Sequence, residues 1–228
     1  MSVFADLVQH LADLLQPLFH NSAAAAAIVL FTALVRLLVH PLSRAAARGA
    51  RARAALQPRI AELRKKHRNN PEKLQKAVLE LHTEEKVSPL SGILPSLLQL
   101  PAFFLLYHLF SASEIGGRTN ELLTHTLLSA PLGDRWLDAL TAGGTAWLVY
   151  VGLFALVAGV AFFNYRQTKT TMAGSAPMDT PGAGAITAVM PFMSFFTLVT
   201  VAVVPLAAAL YVVTSTTWSA VERAVLYP

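Results

Sequence analysis

The chain has 228 residues, 54% of them hydrophobic and 14% charged, with eighteen Lys and Arg against thirteen Asp and Glu for a net charge of +5. Soluble domains carry about 25% charged residues, so the composition excludes an ordinary water-soluble domain and reads as a membrane protein. There is no cysteine, which excludes disulfides, thiolate metal sites and cysteine nucleophiles.

Residues 1–22 have no basic n-region and do not read as a signal peptide; their only formal charges are Asp6 and Asp13. Phe4, Leu7, Leu11, Leu14, Leu15 and Leu18 recur at helical spacing, which predicts an amphipathic helix on the outer membrane face. Residues 23–40 form a first apolar helix, about 27 Å long at ~1.5 Å per residue, enough to cross a bilayer core. Arg36 lies inside it. A mid-span arginine costs ~2.5–3.5 kcal/mol on insertion scales, which marks a functional site. It also lies about 7.5 Å from Pro41 along the axis, near enough to snorkel to the headgroups as an anchor. This helix alone leaves both readings open.

Residues 41–92 hold twelve of the eighteen basic residues, so the segment reads as cytoplasmic. No aromatic residue interleaves with the charges, which argues against a nucleic-acid surface. Leu56, Ile60 and Leu63, then Leu74, Ala77, Val78 and Leu81, make two apolar stripes. Asn70 and Pro71 between them cap and start a second arm. A helical hairpin with a thin seam is expected, with a kink or restart at Pro58 and i, i+4 pairs Glu62–Lys66 and Glu72–Lys76.

Residues 93–111 are a second span with Pro95, Pro101 and the amide Gln99. Residues 112–144 read as an outer loop, since Arg118 and Arg135 are outnumbered by Glu114, Glu121, Asp134 and Asp138. Residues 145–165 are a third span bounded by Trp147 and Tyr165, and residues 166–184 a polar inner loop. The 37 apolar residues from Ala185 to Val221 reach roughly 55 Å as one helix, too long for a bilayer. Divided at Val204-Pro205, they give spans at 185–204 and 205–222 and a tail at 223–228. The expected fold is an all-α integral membrane protein of five transmembrane helices with a cytoplasmic helical hairpin, N-terminus out and C-terminus in.

Val87 to Tyr107 reads VSPLSGILPSLLQLPAFFLLY. This resembles the signature of the YidC-type (YidC/Oxa) membrane protein insertase family. Pro89, Leu90, Gly92, Pro95, Leu97, Leu98, Gln99, Pro101, Phe103, Leu106 and Tyr107 match it, with Ser88 where Asn is usual. Arg36 four residues before His40-Pro41, Leu56-Gln57-Pro58-Arg59-Ile60, Met190-Pro191-Phe192-Met193, and Pro205 with Leu210-Tyr211 match in order, so the resemblance covers about residues 24–222. Ala207, Val212 and Thr216 depart from the glycine, tryptophan and asparagine of the family pattern, and no long basic tail follows to imply ribosome attachment through it.

The resemblance implies a polar groove, open to the cytoplasm and to lipid and closed outside, with Arg36 in it. Tyr211, Ser215, Trp218 and Glu222 share one helix face, with Thr214 and Thr217 beside them. Helix packing by small hydroxyl residues is the plain alternative for that run. Gln99 and Asn164 add amides, so the expected substrate-binding set is Arg36, Gln99, Asn164, Tyr211, Ser215 and Trp218. The implied partners are nascent membrane proteins and the lipid bilayer of a bacterial plasma membrane, with the Sec translocon and ribosome as further candidates.

No enzyme is expected. The sequence lacks H-E-x-x-H, G-x-S-x-G and paired aspartates in spans, and its seven histidines make no zinc spacing. It has no G-x-x-x-x-G-K-[ST] run, and no cofactor is implied. A small-solute or ion transporter is the alternative, disfavoured because five spans do not make two equal inverted repeats.

Overall fold

The computed structural model describes residues 2–87, 100–173 and 189–226. Gln99, most of the second-span signature and the inner loop at 174–184 lie outside them. The described chain is mainly helical. Helix α1 spans Ser2–Phe19 and α2 Ala23–Lys66; α3 is Pro71–Glu84 and α4 Leu100–Ser111. Helix α5 is Trp136–Thr141 and α6 Ala146–Ala173, followed by α7 at Phe196–Val203 and α8 at Leu206–Leu226. Among the described residues, two stretches are long and apolar enough to cross a membrane, Val3–Lys66 and Ala146–Thr170, and Met190–Val203 is a shorter apolar one.

Helix α2 runs unbroken for 44 residues through Pro41 and Pro58, so the expected restart at Pro58 does not occur. A proline removes one i→i−4 hydrogen bond from the ladder. The carbonyl freed by Pro58 belongs to Ala54, an exposed residue. Water can satisfy it, and one lost bond does not end so long a helix. Asn70 caps α3 as its spacing predicts, accepting from the Lys73 amide at 2.9 Å with Pro71 in the first turn. Leu56, Ile60 and Leu81 form a small buried cluster joined by Leu63, Val78 and Val87. Arg59 and Glu85 pair across it. Among the described residues, the expected Glu62–Lys66 and Glu72–Lys76 pairs do not close.

Helix α1 packs on α2, but not through the whole apolar stripe read from its sequence. Val8 and Ala12 are buried with Ala24, Ala25 and Ile28, and Ala5, Leu11 and Leu15 pack against them. Leu7, Leu14 and Leu18 stay exposed. The small side chains at 5 and 12 let the two backbones approach, which pulls the contact line off the leucines.

Helix α8 is the hub, packed against α2, α4, α6 and α7. Ala207, Ala208 and Ala209 are fully buried at its start. Such small residues let neighbouring helices come close. Val204 is extended (φ −84°, ψ 157°) before Pro205, where the sequence divides the last apolar run. The residue before a proline is driven from helical to extended backbone by the proline Cδ.

The segment read as a plain outer loop carries structure. Glu114–Ile115 pairs with Arg118–Thr119, and Thr126–Leu127 with Ala130–Pro131. The loop then caps α8: the Leu206 and Ala207 amides donate to the Asp134 and Leu132 carbonyls, each at 2.9 Å. The hydroxyl of the fully buried Tyr150 donates to the same Asp134 carbonyl at 2.6 Å. These bonds satisfy amides that a helix start otherwise leaves without partners. Burial, and then the nearby Asp138, hold the Asp134 carboxyl above the usual carboxylate range.

Candidate functional site

Arg36 sits on α2 facing α8, half-buried. Its Nε donates to Ser215 Oγ at 3.0 Å, and its Nη2 donates to the same oxygen. Two of the five guanidinium N–H groups are therefore used on one hydroxyl. Among the described residues no carboxylate lies within ion-pair distance of Arg36. Tyr211 and Glu222 lie within electrostatic range of it. One turn further along α2, His40 Nδ1 meets Glu222 Oε1 at 2.5 Å. The α2–α8 contact thus carries two polar rungs, Arg36–Ser215 and His40–Glu222.

Tyr211 lies one turn before Ser215 on the same face of α8, where it is buried and packs against α4. Its ring lies 5.9 Å from both Phe103 and Phe110, and Phe103 stacks on Tyr107 at 6.0 Å. The described part of the signature, residues 100–107, therefore places Phe103, with Tyr107 stacked on it, beside the Tyr211 ring. Trp218 also belongs to α8; its indole N–H and the Thr217 hydroxyl are buried with no hydrogen-bond partner among the described residues.

Asn164 is not brought to Arg36. It lies on α6, with Oδ1 accepting from Arg223 Nη1 at 3.5 Å. Together they line a separate cavity of about 230 Å³ with Ser194, Thr197, Thr216 and Ser219. At ~100° per residue, positions 216, 219 and 223 fall about 100° around α8 from 211, 215, 218 and 222. One helix thus presents two polar faces, one to α2 and one to α6.

A model of the 60Kd inner membrane protein family matches residues 15–228 of this chain. The chain belongs to this family, the YidC/Oxa family. Curated relatives agree. A "Membrane protein insertase YidC" of Chlorobium limicola is 34% identical over 148 residues, 63% of this chain and 24% of that protein. One of Clostridium perfringens is 45% identical over 91 residues, 40% of this chain and 38% of its own length. One of Chlorobium phaeovibrioides is 40% identical over 147 residues, 63% of this chain and 24% of that protein. The chain thus matches between 24% and 38% of the length of these relatives.

Within this YidC/Oxa member, the departures from the family pattern have visible places. Ala207 lies in the buried start of α8, Val212 is buried in the core, and Thr216 faces the Asn164 cavity. Sequence reasoning omitted His40 from the site and used Glu222 only as a marker of a helix face. The signal was there: His40 is one turn from Arg36, and Glu222 is two turns from Ser215.

Proposed function

We propose that this chain is a membrane protein insertase, in which Arg36 draws the hydrophilic tail of a substrate into a polar groove and the substrate's apolar span then leaves sideways into lipid. The observation that carries this reading is the Arg36 guanidinium, placed in an apolar helix and answered by a single hydroxyl from α8. Among the described residues, its other three donors have no partner and are left for water or a guest. A polar group without a partner in hydrocarbon costs several kcal/mol, and a hydrated groove at partial depth lowers that barrier. A tail carboxylate at ~6 Å from Arg36, at an effective dielectric of ~20, gains about 2.8 kcal/mol. That biases entry and still permits release.

In this reading the chain has five spans, at 23–40, 93–111, 145–165, 185–204 and 205–222. The N-terminus is outside, the C-terminus inside, and 41–92 is a cytoplasmic hairpin in a bacterial inner membrane. Tyr211, Ser215 and Trp218 wall the groove with Arg36, and Gln99 is a further tail contact; Asn164, in the cavity on the α6 side, is left out of it. The partners are nascent membrane proteins and lipid, with the Sec translocon and ribosome as additional candidates. Proteoliposomes carrying the protein alone, given a single-span substrate without ATP, are expected to insert it. Flux of ions or small solutes with no insertion would overturn the reading in favour of a transporter.

A further inference from the structure

Glu222 is a buried-side carboxylate beside a site that works by positive charge, and a tail-attracting mechanism gives it no task. Its side chain is 13% exposed, and that of His40 33%. The Glu222 carboxylate lies within electrostatic range of the Arg36 guanidinium, yet it does not pair with it. Its Oε1 is held instead by His40 Nδ1 at 2.5 Å, one turn of α2 away. The other charges near this seam are turned elsewhere: Arg44 is exposed, and Arg223 reaches towards Asn164 on the α6 side. Residues 88–99, which precede α4, contain no ionisable side chain. Among the described residues, the charge in range of Arg36 therefore reduces to the Glu222 carboxylate, with the Tyr211 hydroxyl beside it and the His40 imidazole holding the carboxylate off.

We propose that Glu222, held by His40, is the internal counter-charge of the Arg36 site and sets how strongly the site prefers acidic over neutral hydrophilic segments. This rests on the insertase reading above. Fields add, so a carboxylate arriving at Arg36 feels the attraction of the guanidinium less the repulsion of Glu222. Were Glu222 free to swing onto Arg36, a closed ion pair would cancel the cation and leave little to attract a guest. The His40 hydrogen bond fixes an intermediate state. Arg36 stays open to a guest, and Glu222 stays close enough to temper it. His40 is accordingly a positioning residue and Glu222 a specificity-determining one.

The two partners of this one hydrogen bond are expected to act in opposite directions, which a merely structural latch would not do. The test uses the full chain in proteoliposomes and two single-span substrates whose tails differ only by Asp in place of Asn. The readout is the ratio of acidic-tailed to neutral-tailed insertion. E222Q is expected to raise that ratio about fivefold at low ionic strength, an effect shrinking at high salt as screening sets in. H40A is expected to lower it, because the released Glu222 closes on Arg36. The H40A/E222Q double variant is expected to behave as E222Q. If E222Q does not accumulate, H40Q/E222Q, whose two amides keep a hydrogen bond, is expected to give the same rise. A ratio that moves the same way in E222Q and H40A, or stays put in both, overturns the proposal. Absence of insertion by the unaltered protein overturns the insertase reading itself, a distinct result.

Discussion

Arg36 and Ser215 lie 179 positions apart in sequence and meet at 3.0 Å between the two helices that bracket the candidate site. The contact supports the proposed groove charge over an interfacial anchor, which would turn to headgroups rather than to a hydroxyl of a neighbouring helix. Arg36→Ala is expected to accumulate normally and to lose insertion of an acidic-tailed substrate by about 10- to 100-fold, with much less loss for a neutral tail, as the Coulomb term acts only on a carboxylate. Arg36→Glu is expected to be worse than Ala for the acidic tail. Equal insertion of both substrates by a normally expressed Ala variant would exclude Arg36 as the site.

Topology is open to a clean labelling test, since the chain has no cysteine of its own. A cysteine at Ser129, which is exposed, is expected to react with an impermeant reagent from outside. One at Asn69, also exposed, is expected to react only after lysis. The reverse pattern would end the five-span model.

Three buried side chains, Leu56, Ile60 and Leu81, join α2 to α3. So small a contact predicts local opening well below the global unfolding free energy. Leu81→Ala, at a cost of about 2–3 kcal/mol, is expected to expose residues 67–86 to protease. Melting of the remaining helices should not move. A matched fall in that melting temperature would show the pair to be part of the main cooperative unit.

Tyr150→Phe removes the hydroxyl that shares the Asp134 carbonyl with the Leu206 amide. The carbonyl keeps one donor, so the expected loss is modest, about 0.5–1.5 kcal/mol, read as a lower melting temperature in detergent. Insertion selectivity should not change.

The raised carboxyl of Asp134 gives a pH dependence of definite sign. A carboxyl whose folded pKa lies above its unfolded value contributes fully at pH below the unfolded value. That contribution is lost as pH rises through the folded one. Asp134→Asn is therefore expected to melt higher than the unaltered protein near neutral pH, with the gap closing below the ordinary carboxylate range. A gap that widened on acidification would contradict the assignment.

How much of this was legible in sequence depended on whether the signal was local. The break at Val204-Pro205 was readable, because proline acts on its own neighbour. So was the Asn70 cap, which acts over three residues. Arg36 and Ser215 were each readable, one as a charge in an apolar helix and the other within a hydroxyl run. Their bond was not, since Thr214 and Thr217 neighbour Ser215 and only the crossing of α2 on α8 selects among them. The same holds for Asn164. Its depth suggested a shared groove, but the side of α8 that meets α6 is a tertiary fact. The cap on α8 joins Leu132 and Asp134 to Leu206 and Ala207, and no spacing rule reaches that far.

The unbroken α2 has a mechanical consequence. From Arg36 to Lys66 the helix extends about 45 Å at ~1.5 Å per residue, making a lever whose short end is the charged rung and whose long end carries the basic tip. Tilting such a rod by about 10° displaces its far end by roughly 8 Å. Pro41, five residues from Arg36, and Pro58, nearer the tip, are where a missing hydrogen bond makes bending cheapest. A load on the tip at Lys65 and Lys66 is thus shared between a bend at Pro58 and one at Pro41, and it is the second that carries it to the His40–Glu222 rung.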